Sequence, residues 1–473
     1  MAAQAAAKRN TYDTIAAIST APGEGGIGIV RISGPKALSI LELLIPGGGA
    51  LRRESFLDRK MIYGIVREPS DGKPIDEALA VYMKAPRSYT GEDVCEVQCH
   101  GGPVPVRKIL EVALTLGART ALPGEFTKRA FLNGRLDLAQ AGAVIDMIRA
   151  GTEQSYRAAR ALADGGLSER IRSARELLLT VLAEITARIE YSEVFEDEDA
   201  GGEISSNLNE AAKLITALLA DADRGRLVRE GLRVCIIGKP NAGKSSLYNA
   251  LLREDAAIVT ATPGTTRDVL EVMIDVNGVP VILTDTAGIR GGAGEIERIG
   301  IDRAREVYER ADVCLFVVDG SKSISDEDRM IAALLNPDKK TIIVVTKNDL
   351  PQNVADEDVK TLVAFAGTIV RTALGENSSY GILEIEEYLS GLVLGGSLSA
   401  GAPLLVTKAY HKAALEESLN NVEAAVLAID SGEAPEFAEI DIHAAYDKLG
   451  EIIGETVTDD ILERVFSEFC VGK

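Results

Sequence analysis

The run Gly238-Lys-Pro-Asn-Ala-Gly-Lys244-Ser245 places two glycines, a lysine and a hydroxyl at the spacing of a phosphate-cradling loop. Glycines let backbone N–H groups turn inward around phosphate oxygens, and a helix starting directly afterwards adds its positive end. Lys244 then neutralises the β- and γ-phosphates, and Ser245 offers an oxygen to Mg²⁺. Asp285-Thr286-Ala287-Gly288 brings a carboxylate for the Mg²⁺ shell and an N–H for the γ-phosphate. Thr346-Lys347-Asn348-Asp349 brings a carboxylate that accepts from the two N–H groups on guanine's pairing edge, a pair adenine lacks. Backbone N–H groups of Thr372-Ala373-Leu374 suit the guanine oxygen, and Gly264-Thr265-Thr266 sits where a switch loop supplies a hydroxyl to Mg²⁺. Each string is short and weak alone. In this order and spacing they specify GTP rather than ATP.

Two departures matter. The guanine string commonly opens with Asn, and here Thr346 stands there, which leaves Asp349 to select the base with weaker bracing of its loop. Ras-like GTPases follow Asp-x-x-Gly with a Gln that orients water, and this chain has Ile289. Hydrolysis must be organised otherwise, with Arg290, Glu295 and Glu297 as candidates beside the simpler reading of a charged switch loop.

These strings need strands that end at them. Short apolar runs at 234–237, 279–283, 313–318, 341–345 and 368–371, mostly separated by helical segments, predict a largely parallel α/β sheet. Ahead of it, β-rich runs at 27–32, 78–83 and 94–98 between Gly- and Pro-rich turns predict an α+β unit. Between Pro123 and Pro240 there is no proline, and apolar residues such as Leu138, Ala141 and Ile145 recur at helical spacing, as do those of 177–189. The acidic stretch 190–199, ending at Gly201-Gly202, reads as a solvated helix end and connector. Past a Gly- and Ser-containing linker at 395–401, helical periodicity returns over 409–429 and 440–469. The expected architecture is therefore multidomain: an α+β unit over 1–128, a helical domain in two parts (129–229 and 391–473) and an inserted P-loop GTPase domain over 230–390.

A length of 473 residues suits about three such domains. The net charge of -21 argues against a broad electrostatic grip on nucleic acid, though not against a local basic patch or a carrier subunit. Arg157, Arg160, Arg170, Arg172 and Arg175 form a helical cluster that suits such a patch, with a solvated face as the simpler account. Scattered cysteines point to a reducing compartment. The opening residues lack an apolar core, and no run approaches 18 apolar residues, so a cytoplasmic chain without membrane spans is expected. Cys95, Cys99 and His100 lack the fourth partner that a zinc site needs.

Pro22–Pro35 (PGEGGIGIVRISGP), Gly91–Pro103 (GEDVCEVQCHGGP), Pro123–Gln140 (PGEFTKRAFLNGRLDLAQ) and the closing Cys470-Val-Gly-Lys473 bracket the GTPase strings. Together they resemble the MnmE (TrmE) family of tRNA-modification GTPases over nearly the whole chain. The resemblance implies that, as a homodimer with the flavoprotein MnmG (GidA), such a protein places a carboxymethylaminomethyl or aminomethyl group on C5 of the wobble uridine of certain tRNAs. The one-carbon unit would come from a folate, 5-formyl- or 5,10-methylene-tetrahydrofolate. By matching strings, Arg31, Glu96, Arg135 and Lys473 would contact it: cations can pair a glutamate tail, and a carboxylate can accept from pterin amino groups. The resemblance also implies activation by K⁺, held by Asn241 and the carbonyls of Thr260, Thr262 and Thr265, with Mg²⁺ on Ser245 and Thr266. Glu297 would orient the attacking water, and Arg290 would be a switch contact. The nucleotide contacts then extend through Asn241, Ala242, Gly243 and Ser246, and through Ala261 and Pro263. Cys470 is either a nucleophile or a plain thiol beside the folate. A GTP-dependent ribosome factor is the rival, but it has no use for the folate-like strings or the closing Cys-Val-Gly-Lys.

Overall fold

A computed structural model describes residues 13–46, 57–190, 200–252, 257–258, 271–285, 305–363, 367–375, 378–395, 405–432 and 435–473. The chain divides into two compact units, one built from 1–145, 162–216 and 413–473, the other from 146–161 and 217–412.

In the first unit, six strands order as β3-β4-β5-β2-β1-β6. They are β1 (Ile15–Ile18), β2 (Gly25–Ser33), β3 (Met61–Arg67), β4 (Pro74–Met83), β5 (Val94–Gly101) and the short β6 (Arg119–Thr120). Alternation decides the faces. Val30 and Ile32 of β2, with Cys95, Val97 and Cys99 of β5, turn to one side, where the helices Ala37–Leu44 and Pro103–Thr115 bury them. Arg31 and Glu96, directly opposite in the β2–β5 register, turn to the other side. There Ile15, Ala17, Ala121 and Phe126 form a small second core with Tyr89 packed against it. The helical part includes Gly166–Glu190, whose buried Leu167, Ile171, Ala174, Leu178, Val181, Leu182 and Ile185 form one stripe facing the helix Pro435–Ile453.

Two details differ from expectation. Gly201 and Gly202 lie inside the first turn of the helix Ala200–Leu219 rather than in a connector. The expected helical run 440–469 breaks after Ile453, where Gly454 turns the chain before the helix Asp459–Ser467.

In the second unit, seven strands order as β13-β12-β11-β7-β10-β9-β8. The parallel set is β7 (Leu232–Ile237), β10 (Val279–Asp285), β11 (Val313–Asp319), β12 (Lys340–Thr346) and β13 (Thr368–Arg371). Every residue of β11 is buried, as a central parallel strand covered on both faces requires. β9 (Glu271–Val276) and β8 (Ala257–Ile258) extend the sheet antiparallel. β9 was missed in the sequence, although Asn277 and Gly278, both at positive φ, are the residues that a tight β9–β10 hairpin favours. The helix Ala222–Glu230 belongs to this unit, as does most of the helix Glu153–Ala163.

Candidate functional sites

β7 ends at Ile237 in the middle of the parallel sheet, so the chain leaving it emerges at the carboxyl edge where such sheets bind ligands. Gly238 opens the loop because nothing larger fits: a Cβ there would lie 2.4 Å from the carbonyl oxygen of Val317. The loop closes into the helix Lys244–Leu251, whose first turn carries no side-chain cap. No side chain caps its leading N–H groups, and an anion is the ligand that a helix N-terminus favours. Lys244 Nζ donates to the carbonyl oxygens of Gly238 (2.7 Å) and Lys239 (2.8 Å), which holds the ammonium across the mouth of the loop. Ser245 and Ser246 are exposed on the same first turn, and Ala242 is buried beneath it.

Thr346 stands at the end of β12, buried, and its hydroxyl donates to the carbonyl oxygen of Ala242 at 2.6 Å. The threonine found in place of the commoner asparagine therefore still ties the guanine string to the phosphate loop. Gly243, next in the loop, presses against the same side chain. Lys347, at φ 59°, completes the tie: its ammonium donates to the carbonyl oxygen of Asn241 at 3.1 Å and to Asp319 Oδ2 at 2.7 Å. Burial opposes ionisation of Asp319, but Lys347 and Ser321 outweigh it and hold its carboxyl below the usual range. Asn348 N–H donates to the carbonyl oxygen of Thr372, and Thr372 N–H to that of Val345. Ala373 and Leu374 follow in the two-stranded β14–β15 ribbon, Ala373–Gly375 with Ser378–Tyr380. Asp349 is exposed, just past the end of β12.

Asp319 and a second tie are absent from the sequence reading. Lys239, inside the loop, pairs with the fully buried Asp328 at 2.6 Å, and Asp328 sits in the capping box of the helix Asp326–Ala332. The only advance sign was an acidic residue closing a wholly apolar strand, in Val313–Asp319. Asp285 ends β10 beside Ile236 of β7, and its side chain is outside the description. Thr260, Ala261, Thr262, Pro263, Gly264, Thr265, Thr266, Thr286, Ala287, Gly288, Ile289, Arg290, Glu295 and Glu297 lie outside the described residues, as does the acidic stretch 191–199.

In the other unit, Arg31, Glu96 and Lys473 come together on the sheet face opposite the helices Ala37–Leu44 and Pro103–Thr115, and Arg135 meets Arg31 at the Tyr89 ring. Arg31 Nε donates to Glu96 Oε1 at 2.8 Å, the two side chains being 15% and 17% exposed. Arg31 Nη1 reaches the carbonyl oxygen of Gly472 at 3.5 Å, and Ser19 donates to that same oxygen at 3.2 Å. Gly472 passes so close to β1 that a Cβ there would lie 2.1 Å from the carbonyl oxygen of Ile18. Lys473 is thereby delivered beside Arg31 and Glu96. Burial and the Arg31 charge push its ammonium below the usual lysine range, with Glu96 acting the other way. Arg135 Nη1 donates to the carbonyl oxygen of Tyr89 at 2.6 Å. Arg31 and Lys473 beside Glu96, with Arg135 at the neighbouring Tyr89 ring, give a cluster in which cationic side chains outnumber the carboxylate, fit for a ligand that carries carboxylates at one end and amino groups at the other.

The remaining candidates separate. Arg175 is buried, stacked on Tyr446 at 3.9 Å and paired with Glu455, so it is a packing residue and not part of a solvated cluster. Arg157 pairs with Glu153, and Arg172 with Asp137. Cys95 and Cys99 are buried in the helix-covered core, whereas His100 turns outward to Asp76 at 2.7 Å. Asp76 lifts the His100 imidazole above its usual range. Cys470 is exposed, and its carbonyl oxygen accepts from Gly124 N–H at 3.4 Å. Among the described residues, no helix is long and apolar enough to cross a membrane.

The profile of the GTP-binding protein TrmE N-terminus matches residues 14–135, and that of the MnmE helical domain matches 138–470. The tRNA modification GTPase MnmE of Alkaliphilus oremlandii (strain OhILAs) is 43% identical over 461 residues, 98% of this chain and 99% of its own. That of Heliobacterium modesticaldum (strain ATCC 51547 / Ice1) is 45% identical over 468 residues, with the same coverage. A solved G domain, from the T. maritima FeoB iron transporter, aligns over 34% of this chain and 96% of its own at 24% identity, with a TM-score of 0.26.

Proposed function

The chain belongs to the MnmE (TrmE) family of tRNA-modification GTPases, and from that membership we infer an enzyme that couples GTP hydrolysis to modification of tRNA. It is a K⁺-activated GTP hydrolase that acts with the flavoprotein MnmG (GidA) on C5 of the wobble uridine, position 34, using a folate one-carbon unit. It works as a homodimer in the cytoplasm. The observation that carries the reading is the meeting of Arg31, Glu96 and Lys473 in a chain that also holds the phosphate loop. A simple GTP switch has no use for such a cluster.

The site roles are proposals. Lys244 and the uncapped helix N-terminus hold the β- and γ-phosphates. The exposed Ser245 hydroxyl, with Thr266, fits Mg²⁺, an oxygen-seeking cation. Asn241 is exposed at the lip of the loop with its backbone fixed by Lys347, which leaves its side-chain oxygen for K⁺ together with Thr260, Thr262 and Thr265. A cation there offsets charge that develops on the phosphates. Glu297 orients water, Asp349 reads guanine, and Arg31, Glu96, Arg135 and Lys473 bind the folate. The domain limits that go with these roles are 1–128 for folate binding and dimerisation, 129–229 and 391–473 for the helical domain, and 230–390 for the GTPase domain.

Nucleoside analysis of tRNA tests the whole reading. Cells lacking the protein should lose the C5-modified wobble uridine, and the parent gene should restore it. An unchanged nucleoside profile would overturn the assignment.

A further inference from the structure

We propose that Tyr89 is a positioning residue of the folate site, a ring that orients the guanidinium groups of Arg31 and Arg135 toward one ligand. The proposal rests on the folate reading above. Arg31 Cζ lies 5.4 Å from the centroid of the Tyr89 ring, and Arg135 Cζ lies 5.1 Å from it. Two like charges drawn to one place repel, and a shared aromatic ring is a physical means of keeping both there. Guanidinium groups held against a ring have their planes fixed, and a planar fork aims its N–H groups in set directions.

The ring is itself held. Tyr89 Oη and Thr127 Oγ1 are 2.9 Å apart, on the helix Glu125–Leu132. Asn133 Nδ2 donates to the carbonyl oxygen of Thr90 at 2.7 Å. Thr90 Oγ1 is 2.8 Å from Ser33 Oγ, and Ser33 donates to Glu92 at 2.7 Å. Arg129, buried, grips Glu92 from below at 3.1 Å. The loop between β4 and β5 is thus pinned at Tyr89 and at the residues that follow it, and the ring is a fixed reference for both arginines.

What each arginine keeps in reserve points to the ligand. Arg31 uses Nε on Glu96 and Nη1 toward Gly472, and its Nη2 has no partner among the described residues. Arg135 uses Nη1 on Tyr89, and its Nε and Nη2 have none among them. These reserved donors suit carboxylate oxygens, the chemistry of a glutamate tail. Tyr89 is a rigid support for them and takes no part in the chemistry.

Calorimetric titration of the full chain with 5-formyl-tetrahydrofolate tests the proposal. Tyr89→Phe keeps the ring and should bind within about 3-fold of the parent, because the hydroxyl bond is a minor anchor. Tyr89→Leu removes the π face and should weaken binding by about 3- to 30-fold, with GTP turnover unchanged. Arg135→Lys is on the surface and keeps the charge without the planar fork, so it reads the same stack should Tyr89→Leu not fold. It should weaken binding by a similar factor. Parent-like affinity in Tyr89→Leu or in Arg135→Lys overturns the proposal, provided that Arg31→Ala weakens folate binding. So does a Tyr89→Phe variant as weak as Tyr89→Leu, which would make the hydroxyl anchor the cause. If Arg31→Ala also binds normally, the folate reading itself has failed.

Discussion

The two sites of this chain are built on opposite plans. The phosphate loop is contiguous: Gly238 to Ser245 run from a strand end into a helix, so that backbone N–H groups are the donors it offers first. Its supports arrive from elsewhere, through Thr346 on Ala242 and Lys347 on Asn241. The proposed folate cluster has no loop of its own. Arg31 and Glu96 come from adjacent strands, Arg135 from the segment after a helix, and Lys473 from a tail folded onto β1. A backbone site tolerates changes in most of its side chains, whereas a side-chain site is weakened by the loss of any one of them. Variants should therefore fall into two classes, each silent at the other site.

The largest separation is expected in catalysis. Glu297→Ala should keep GTP binding and K⁺-dependent association of GTPase domains but lower turnover by about 10²- to 10⁴-fold. Measuring turnover in K⁺ and in Na⁺ checks this, and equal rates in both salts would remove the cation from the mechanism. Lys244→Ala comes next. Loss of the charge partner should weaken GTP binding by at least about 30-fold, with folate titration unaltered. In the other direction, Arg31→Ala should weaken 5-formyl-tetrahydrofolate by about 10- to 100-fold through loss of charge-assisted hydrogen bonds and leave GTP affinity intact. A coupled loss at both sites would break the comparison.

The smallest effect concerns the tie between the two nucleotide strings. Asp319 titrates below the ordinary 3.8 because Lys347 and Ser321 overcome the cost of its burial. Its folded value lies under the unfolded one, so the stabilisation is fully present above about pH 4 and fades as the pH falls through the lower value. Asp319→Asn should cost about 1–3 kcal/mol at pH 7, read as a shift in Tm. The gap between parent and variant should hold down to pH 4 and narrow only below it. A gap that narrows between pH 6 and 5 would mean that Asp319 is not held as described.

What could be read in the sequence follows the same division. The phosphate loop, the guanine string and the parallel strands before them are local patterns, and each fell where spacing put it. The folate residues are far apart along the chain, and only the family resemblance brought them together. Tyr89 was passed over because a single aromatic in a loop carries no periodicity. Its role depends on two guanidinium groups that tertiary packing brings to it. Asp319 and Asp328 escaped for a related reason: a buried carboxylate has meaning only through the lysine it meets. The Asn277-Gly278 hairpin is legible as a turn, but the strand before it carries a weak signal, since only Ile274 and Val276 of β9 are buried.

The hydrogen bond from Arg31 to Gly472 spans 441 residues. At roughly 5–20 residues per second, a ribosome needs about 20 to 90 s to make the chain between those two partners. For that interval the β1–β2 sheet can fold, but Lys473 does not yet exist. Arg31 and Glu96 wait as an unfinished half. Once residue 473 has left the exit tunnel, the tail can settle along β1 and complete the cluster. A chain broken off before Gly472 could still carry an intact phosphate loop and bind GTP, yet it would hold folate poorly. On the proposed placement of the folate, its binding would report whether synthesis has reached residue 473, and a pulse-labelled population should acquire it later than it acquires GTP binding.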